Sequence, residues 1–175
     1  FVIIGLSIGK AQGVFITEIA DPNTNADATA GGRFVELYNN TGSDVDLTGW
    51  ALRRWTNANT DPQADKALQG TIPAGGFFII TNSASDFEIT YYIEANQDIG
   101  TGGPADGNGD DDLALINANG EVVDLYGEGG GTDNSGTSWE FEDGRAERIA
   151  TVTAGNPTGD PAEWNIDNDS GGGDG

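Results

Sequence analysis

The sequence contains no histidine, no cysteine and no methionine, and each absence removes chemistry. Without an imidazole there is no serine triad. Without a thiol there is no papain-like nucleophile, no disulfide and no redox motif, and soft metal ligands are missing as well. Positive charge is almost as scarce. Lys10, Arg33, Arg53, Arg54, Lys66, Arg145 and Arg148 stand against 29 acidic side chains, a formal net charge of -22 over 175 residues. So few cations cannot form the basic patch that displaces counterions from a phosphate backbone, which excludes nucleic-acid binding. No run of 18 or more apolar residues occurs, so no segment reads as a membrane span.

Glycine, by contrast, makes up 28 of 175 residues, about 16 % against an average near 7 %. Apolar residues come in short clusters bounded by Gly, Asn, Asp and Pro, the pattern of strands and turns. Strands are expected at Val14–Ala20, Arg33–Asn39, Trp50–Thr56, Phe77–Thr81, Leu113–Asn117, Glu121–Gly127 and Ser138–Glu142. Seven short strands suit a β-sandwich. Period two in Arg33–Asn39 points Val35 and Leu37 to the core and Glu36 outward. The Asn119-Gly120 pair predicts a hairpin between the fifth and sixth of these strands. Residues 83–95 read either as a short helix or as a loosely packed crossover.

The expected organisation is an apolar N-terminal segment over residues 1–13, a sandwich over 14–155 and an acidic, glycine-rich tail over 156–175. The first thirteen residues hold no acid, and the first acidic residue is Glu18. One reading is a signal-peptide remnant, with Gly9-Lys10-Ala11 as its small-x-small cleavage site. The favoured reading is a strand, because Val2, Ile4, Leu6 and Ile8 share one face at period two. An exposed strand of that kind is an aggregation site unless lent to another copy, which makes these four residues the expected subunit contact.

The order of motifs V-F-I-T-E-I-A, R-F-V-E-L-Y-N-N, V-D-L-T-G-W-A-L-R, G-T-I-P-A-G-G-F-F-I-I and D-D-L-A-L-I-N-A-N-G-E-V-V-D resembles the lamin tail domain family. The resemblance covers roughly Val14 to Arg148. It implies an all-β, immunoglobulin-like β-sandwich, here with an extra N-terminal strand segment, and no shared catalytic residues. The long acidic loops and the lack of coiled-coil heptads resemble the bacterial, extracellular members. A secreted or cell-surface location is therefore expected.

Two acidic loops share the pattern D-x-N-x-[ND]-x-D. They place Asp21, Asn23, Asn25 and Asp27 in one and Asp106, Asn108, Asp110 and Asp112 in the other. Oxygen donors on alternate residues can wrap a hard cation, so both are candidate calcium sites. Neither has the glycine or the terminal glutamate of an EF-hand. The alternative is a solvated acidic loop closed by Asx turns. Carboxylates are the only candidate catalytic groups, and no feature singles out a pair, so no enzyme activity is expected. Trp50, Trp55, Trp139 and Trp164 are candidates for stacking on carbohydrate; otherwise Trp50 and Trp139 belong to the core, with Trp55 and Trp164 at the sandwich ends.

The leading functional expectation is an extracellular structural protein that polymerises head to tail, each subunit donating its N-terminal strand to the next, with cations offsetting the charge. The alternative is a calcium-stabilised binding or adhesion module of a larger secreted or surface protein.

Overall fold

In the computed structural model the described residues are 13–22 and 32–168. Twelve strands and one α-helix follow in chain order: β1 (Val14–Ala20), β2 (Phe34–Asn39), β3 (Val45–Asp46), β4 (Ala51–Trp55), β5 (Lys66–Ala67), β6 (Thr71–Ile72), β7 (Phe77–Thr81), α1 (Ala84–Tyr91), β8 (Gln97–Asp98), β9 (Asp112–Ile116), β10 (Val122–Tyr126), β11 (Arg145–Arg148) and β12 (Trp164–Asp167). A six-stranded sheet, β12-β11-β1-β2-β7-β8, is antiparallel except at β7–β8. A four-stranded sheet, β10-β9-β4-β5, is antiparallel throughout. The pair β3–β6 stands apart.

The two larger sheets close on one core. Ile16, Val35, Leu37, Phe78 and Ile80 meet Leu52, Leu113, Leu115 and Tyr126 across it. Val35 and Leu37 are fully buried and Glu36 lies on the opposite face, as the alternation in β2 requires. A smaller cluster of Trp55, Ala114, Ile116 and Leu125 covers the other face of the four-stranded sheet. The expected hairpin is present: β9 and β10 are joined by a turn in which Gly120 N–H donates to Asn117 C=O at 2.9 Å, and Gly120 has φ +79°.

Two sequence expectations need correction. Ser138–Glu142 is not a strand but a run of turns. Its alternation survives without a ladder, because Trp139 and Phe141 both pack edge-on against Tyr126, at 4.9 and 5.4 Å between ring centroids. The Tyr126 hydroxyl donates to the Trp139 carbonyl. Second, the sheet continues past residue 155: β12 pairs with β11, and Trp164 packs on Tyr126 at 5.0 Å, inside the main core rather than at a sandwich end. Of the two readings of residues 83–95, the helix is the one that forms, as α1. It lies on the outer face of the six-stranded sheet through Phe87, which contacts Phe34 edge-on.

A bulge between Ile16 and Glu18 in β1 exposes the deepest polar feature of the fold. The Ile16 N–H donates to Asp124 Oδ2 at 2.8 Å, and the Ile16 carbonyl accepts from Arg148 Nε at 3.1 Å. Asp124 and Arg148 form an ion pair at 2.5 Å with almost no solvent contact. Asp124 Oδ1 also accepts from Asn156 N–H, while Arg148 reaches Glu163 at 2.9 Å and lies 3.8 Å over the Trp164 ring. The pair thus bridges β10 of one sheet to β1 and β11 of the other. Replacing Arg148 with Met should strand the Asp124 carboxylate in the interior and cost about 3–5 kcal/mol of stability. Urea denaturation reads this directly, and Arg148→Lys, which cannot reach all these partners at once, should recover only part of it.

Candidate binding surface and acidic loops

Because the bulge re-phases β1, Val14, Ile16 and Ile19 face the core, while Phe15, Glu18 and Ala20 face outward. Register then fixes their neighbours on the outer face. Phe15 sits opposite Tyr38 and then Phe77; Glu18 lies between Glu36 and Glu147; Ala20 adjoins Phe34. The outer face therefore has three zones. Helix α1 covers the Ala20–Phe34 end, carboxylates form a band across the middle, and an aromatic groove that no described element covers occupies the far end.

The groove has a volume of about 280 Å³ and is walled by Phe15, Tyr38, Phe77, Ile149 and Val152, with Thr17, Asn40 and Thr153 as polar points. Phe15 is its buried floor, meeting Tyr38 edge-on at 5.9 Å. Tyr38 and Phe77 are tilted by 36° at 4.8 Å, and Phe77 is 54 % exposed. Among the described residues no carboxylate lines it. Arg148, its one charged group, is committed to Asp124 and Glu163.

In the carboxylate band, Thr17 Oγ1 donates to Glu36 Oε1 at 2.7 Å. Arg145 lies 3.8 Å from Glu18 and 3.7 Å from Glu147. One guanidinium does not balance three carboxylates. Burial first, and then Glu147 and Glu36, push Glu18 up to about 7 against the pull of Arg145, and burial likewise raises Glu36.

The loop aspartates turn inward and in separate directions. Asp106 accepts from Asn82 Nδ2 at 2.8 Å and Gly102 N–H at 2.5 Å, and faces Arg33 at 3.5 Å. Arg33 also holds Asp21 at 2.5 Å, so one guanidinium joins both acidic loops; burial raises Asp21 despite it. Asn108 is exposed. Asp110 accepts from Asn57 and Ser135, and Asp111, raised by burial, lies 3.5 Å from Arg54. Asp112 accepts from Glu128 N–H at 3.0 Å, Gly130 N–H at 2.6 Å and Asn134 Nδ2 at 2.9 Å. Its pocket requires glycine at 127, where φ is +92° and a Cβ would overlap Asp112 Oδ1.

Asp106, Asn108, Asp110 and Asp112 therefore do not meet at one centre, and among the described residues no three acidic side chains are placed to hold a metal ion. Asn23, Asn25 and Asp27, like Val2, Ile4, Leu6 and Ile8, lie outside the described residues. None of the four tryptophans is exposed: Trp55, Trp139 and Trp164 are buried and Trp50 is half-buried against the core. Sequence reading of tryptophans thus missed the aromatic surface, which is made by Tyr38 and Phe77. The signal was there in period two, since Tyr38 stands on the face of β2 opposite Val35 and Leu37.

An immunoglobulin-like β-sandwich, with its described loop carboxylates turned inward, is the class this architecture defines. The chain belongs to the lamin tail domain family, whose family model matches residues 9–130, and that family is one of binding and structural domains rather than enzymes. The match includes β1 to β10 and leaves β11 and β12 beyond it. No curated protein matches the chain. No helix among the described residues is long and apolar enough to cross a membrane.

The Glu18 proton has a consequence for stability. Its folded pKa of about 7 lies above its ordinary 4.5, so the native state holds a proton that unfolding releases. The contribution is complete below the ordinary value and is lost as pH rises through the folded one. The melting temperature should accordingly fall from about pH 5 to about pH 8. Glu18→Gln should flatten that slope in a calorimetric series.

Proposed function

We propose that this chain is a non-enzymatic, extracellular binding module whose ligand is a neutral carbohydrate seated on the Tyr38–Phe77 groove. The observation that carries the reading is the groove itself: an aromatic pair that no described element covers, beside amide and hydroxyl groups on a sheet face. Sugar rings present C–H faces that stack on aromatic faces and hydroxyls that bond to groups such as Asn40, Thr17 and Thr153. The size suits about one sugar ring within a chain. The surrounding acidity opposes anionic glycans. The non-enzymatic part rests on the family's lack of shared catalytic residues and on a lining without a carboxylate. The extracellular setting rests on the resemblance to bacterial secreted members.

A second reading is the filament, in which the residue 1–13 segment of one subunit adds to the next. One observation favours it: among the described residues no strand pairs with the outer edge of β12. The sandwich core is already closed by its own side chains, so such a segment would add at an edge rather than complete a core.

Phe77→Ala should change stability by about 1 kcal/mol or less and abolish retardation in affinity electrophoresis through gels holding soluble neutral polysaccharides. If the native protein is not retarded by any of a panel of β-glucans, xylans and mannans, the carbohydrate reading falls. Negative-stain electron microscopy of the same protein decides the filament reading: polymers support it, and uniform monomers sink it.

A further inference from the structure

Three successive aspartates are buried at the entry to β9: Asp110, Asp111 and Asp112 are 8 %, 7 % and 1 % exposed. Charges out of water need partners. Asp112 has three N–H donors, and Asp111 has Arg54 together with the Asn57 N–H at 3.0 Å. Asp110 is different. Its Oδ2 accepts from Asn57 Nδ2 at 3.1 Å and from Ser135 Oγ at 3.3 Å, but its Oδ1 is sealed from solvent with no hydrogen-bond partner.

A second sealed oxygen belongs to its neighbour. Asn134 is fully buried, its N–H donates to the Asp110 carbonyl at 3.2 Å, and its Oδ1 also has no partner. The amide cannot be turned over to cure this. Its Nδ2 donates to Asp112 Oδ1 at 2.9 Å, and the reverse orientation would set oxygen against oxygen. Two acceptors cannot satisfy each other. What they lack is positive charge or a donor, and Arg54, the guanidinium nearest this cluster, is directed at Asp111.

We propose that Asp110 Oδ1 and Asn134 Oδ1 ligate a calcium ion, with water and backbone carbonyl oxygens completing its shell. An all-oxygen donor set, one carboxylate and one amide, is what a hard cation takes; calcium accepts irregular geometry, whereas magnesium demands a near-ideal octahedron. With so few charged ligands the affinity belongs to the weak class of extracellular modules, a Kd of about 0.1–1 mM. This site is not the alternating loop expected from sequence. It shares only Asp110 with that set and takes its other ligand from a loop more than twenty residues away. The bound ion would pin the 128–137 loop to the start of β9.

The test uses the full chain. At matched ionic strength, millimolar calcium should raise the melting temperature by several degrees more than magnesium or sodium, and calorimetric titration should show one saturable site. The amide resonances of Asp110, Asn134 and Ser135 should shift with the same saturation in the unmutated protein, which keeps the test valid should a variant fail to fold. Asp110→Asn should lose the calcium increment and Asp106→Asn should keep it. Equal effects of calcium, magnesium and sodium would mean that diffuse screening acts on the surface and a trapped water occupies the two oxygens, overturning the proposal. So would saturable shifts centred on Asp106 and Asn108, or an Asp110→Asn variant that keeps the increment.

Discussion

The buried pairing of Asp124 with Arg148 is the interaction on which the rest of the sandwich rests. Beside the bulge in β1, in the middle of the molecule, this ion pair takes up both the N–H and the C=O of Ile16. Such a pair gains little net stability over well-packed apolar residues of the same volume. Its value here is positional. The same two side chains fix β10, β11, the Asn156 turn and the Trp164 ring, so the relative placement of the two sheets and the course of the last described residues follow from one contact.

That placement determines what the outer face can offer. Without the bulge, strict alternation along β1 would turn Ile19 outward and Glu18 inward. With it, Ile19 joins the core and Glu18 enters a cross-strand row with Glu36 and Glu147, beside which the aromatics of Phe15, Tyr38 and Phe77 collect. The apolar groove and the carboxylate band are two parts of one register. Acidic side chains elsewhere serve the backbone: Asp112 and Asp124 accept main-chain N–H groups from residues far along the chain, and Asp106 accepts one from Gly102 within its own loop. In a chain this poor in cations, N–H groups do much of the neutralising that lysine and arginine do in other proteins.

Much of this architecture is legible in the sequence. Six of the seven expected strands differ from those formed by no more than one residue at either end, and Val14–Ala20 and Phe77–Thr81 agree at both ends, because their alternation reports half-buried sheet directly. The family motifs were readable for the same reason. Ser138–Glu142 was not, since alternating aromatics look alike whether they line a ladder or wedge around Tyr126. The two-residue strands β3, β5, β6 and β8 carry too few side chains to show a period, and β11 and β12 hide among charged residues whose burial depends on partners far away. The acidic loops show the limit most clearly. Spacing locates oxygen donors along a chain, but their directions are set by Arg33, Asn57 and Asn134, which no local pattern names.

Among the described residues the two larger sheets end in strands whose free sides could recruit another polypeptide, and these four ends are short, covered or polar. β8 is two residues long, and its Gln97 and Asp98 side chains bond to Gln69, Ala67, Ala84 and Gly100. β5 is equally short. β10 is covered by the chain near Asn156, whose carbonyl accepts from Leu125 N–H. Only β12 presents four residues, and it carries the exposed Asn165 and Asp167. Charge and brevity at such margins are the means by which β proteins avoid lateral aggregation. Among the described residues the borders of the two larger sheets thus offer little free edge for another strand, without closing into a barrel.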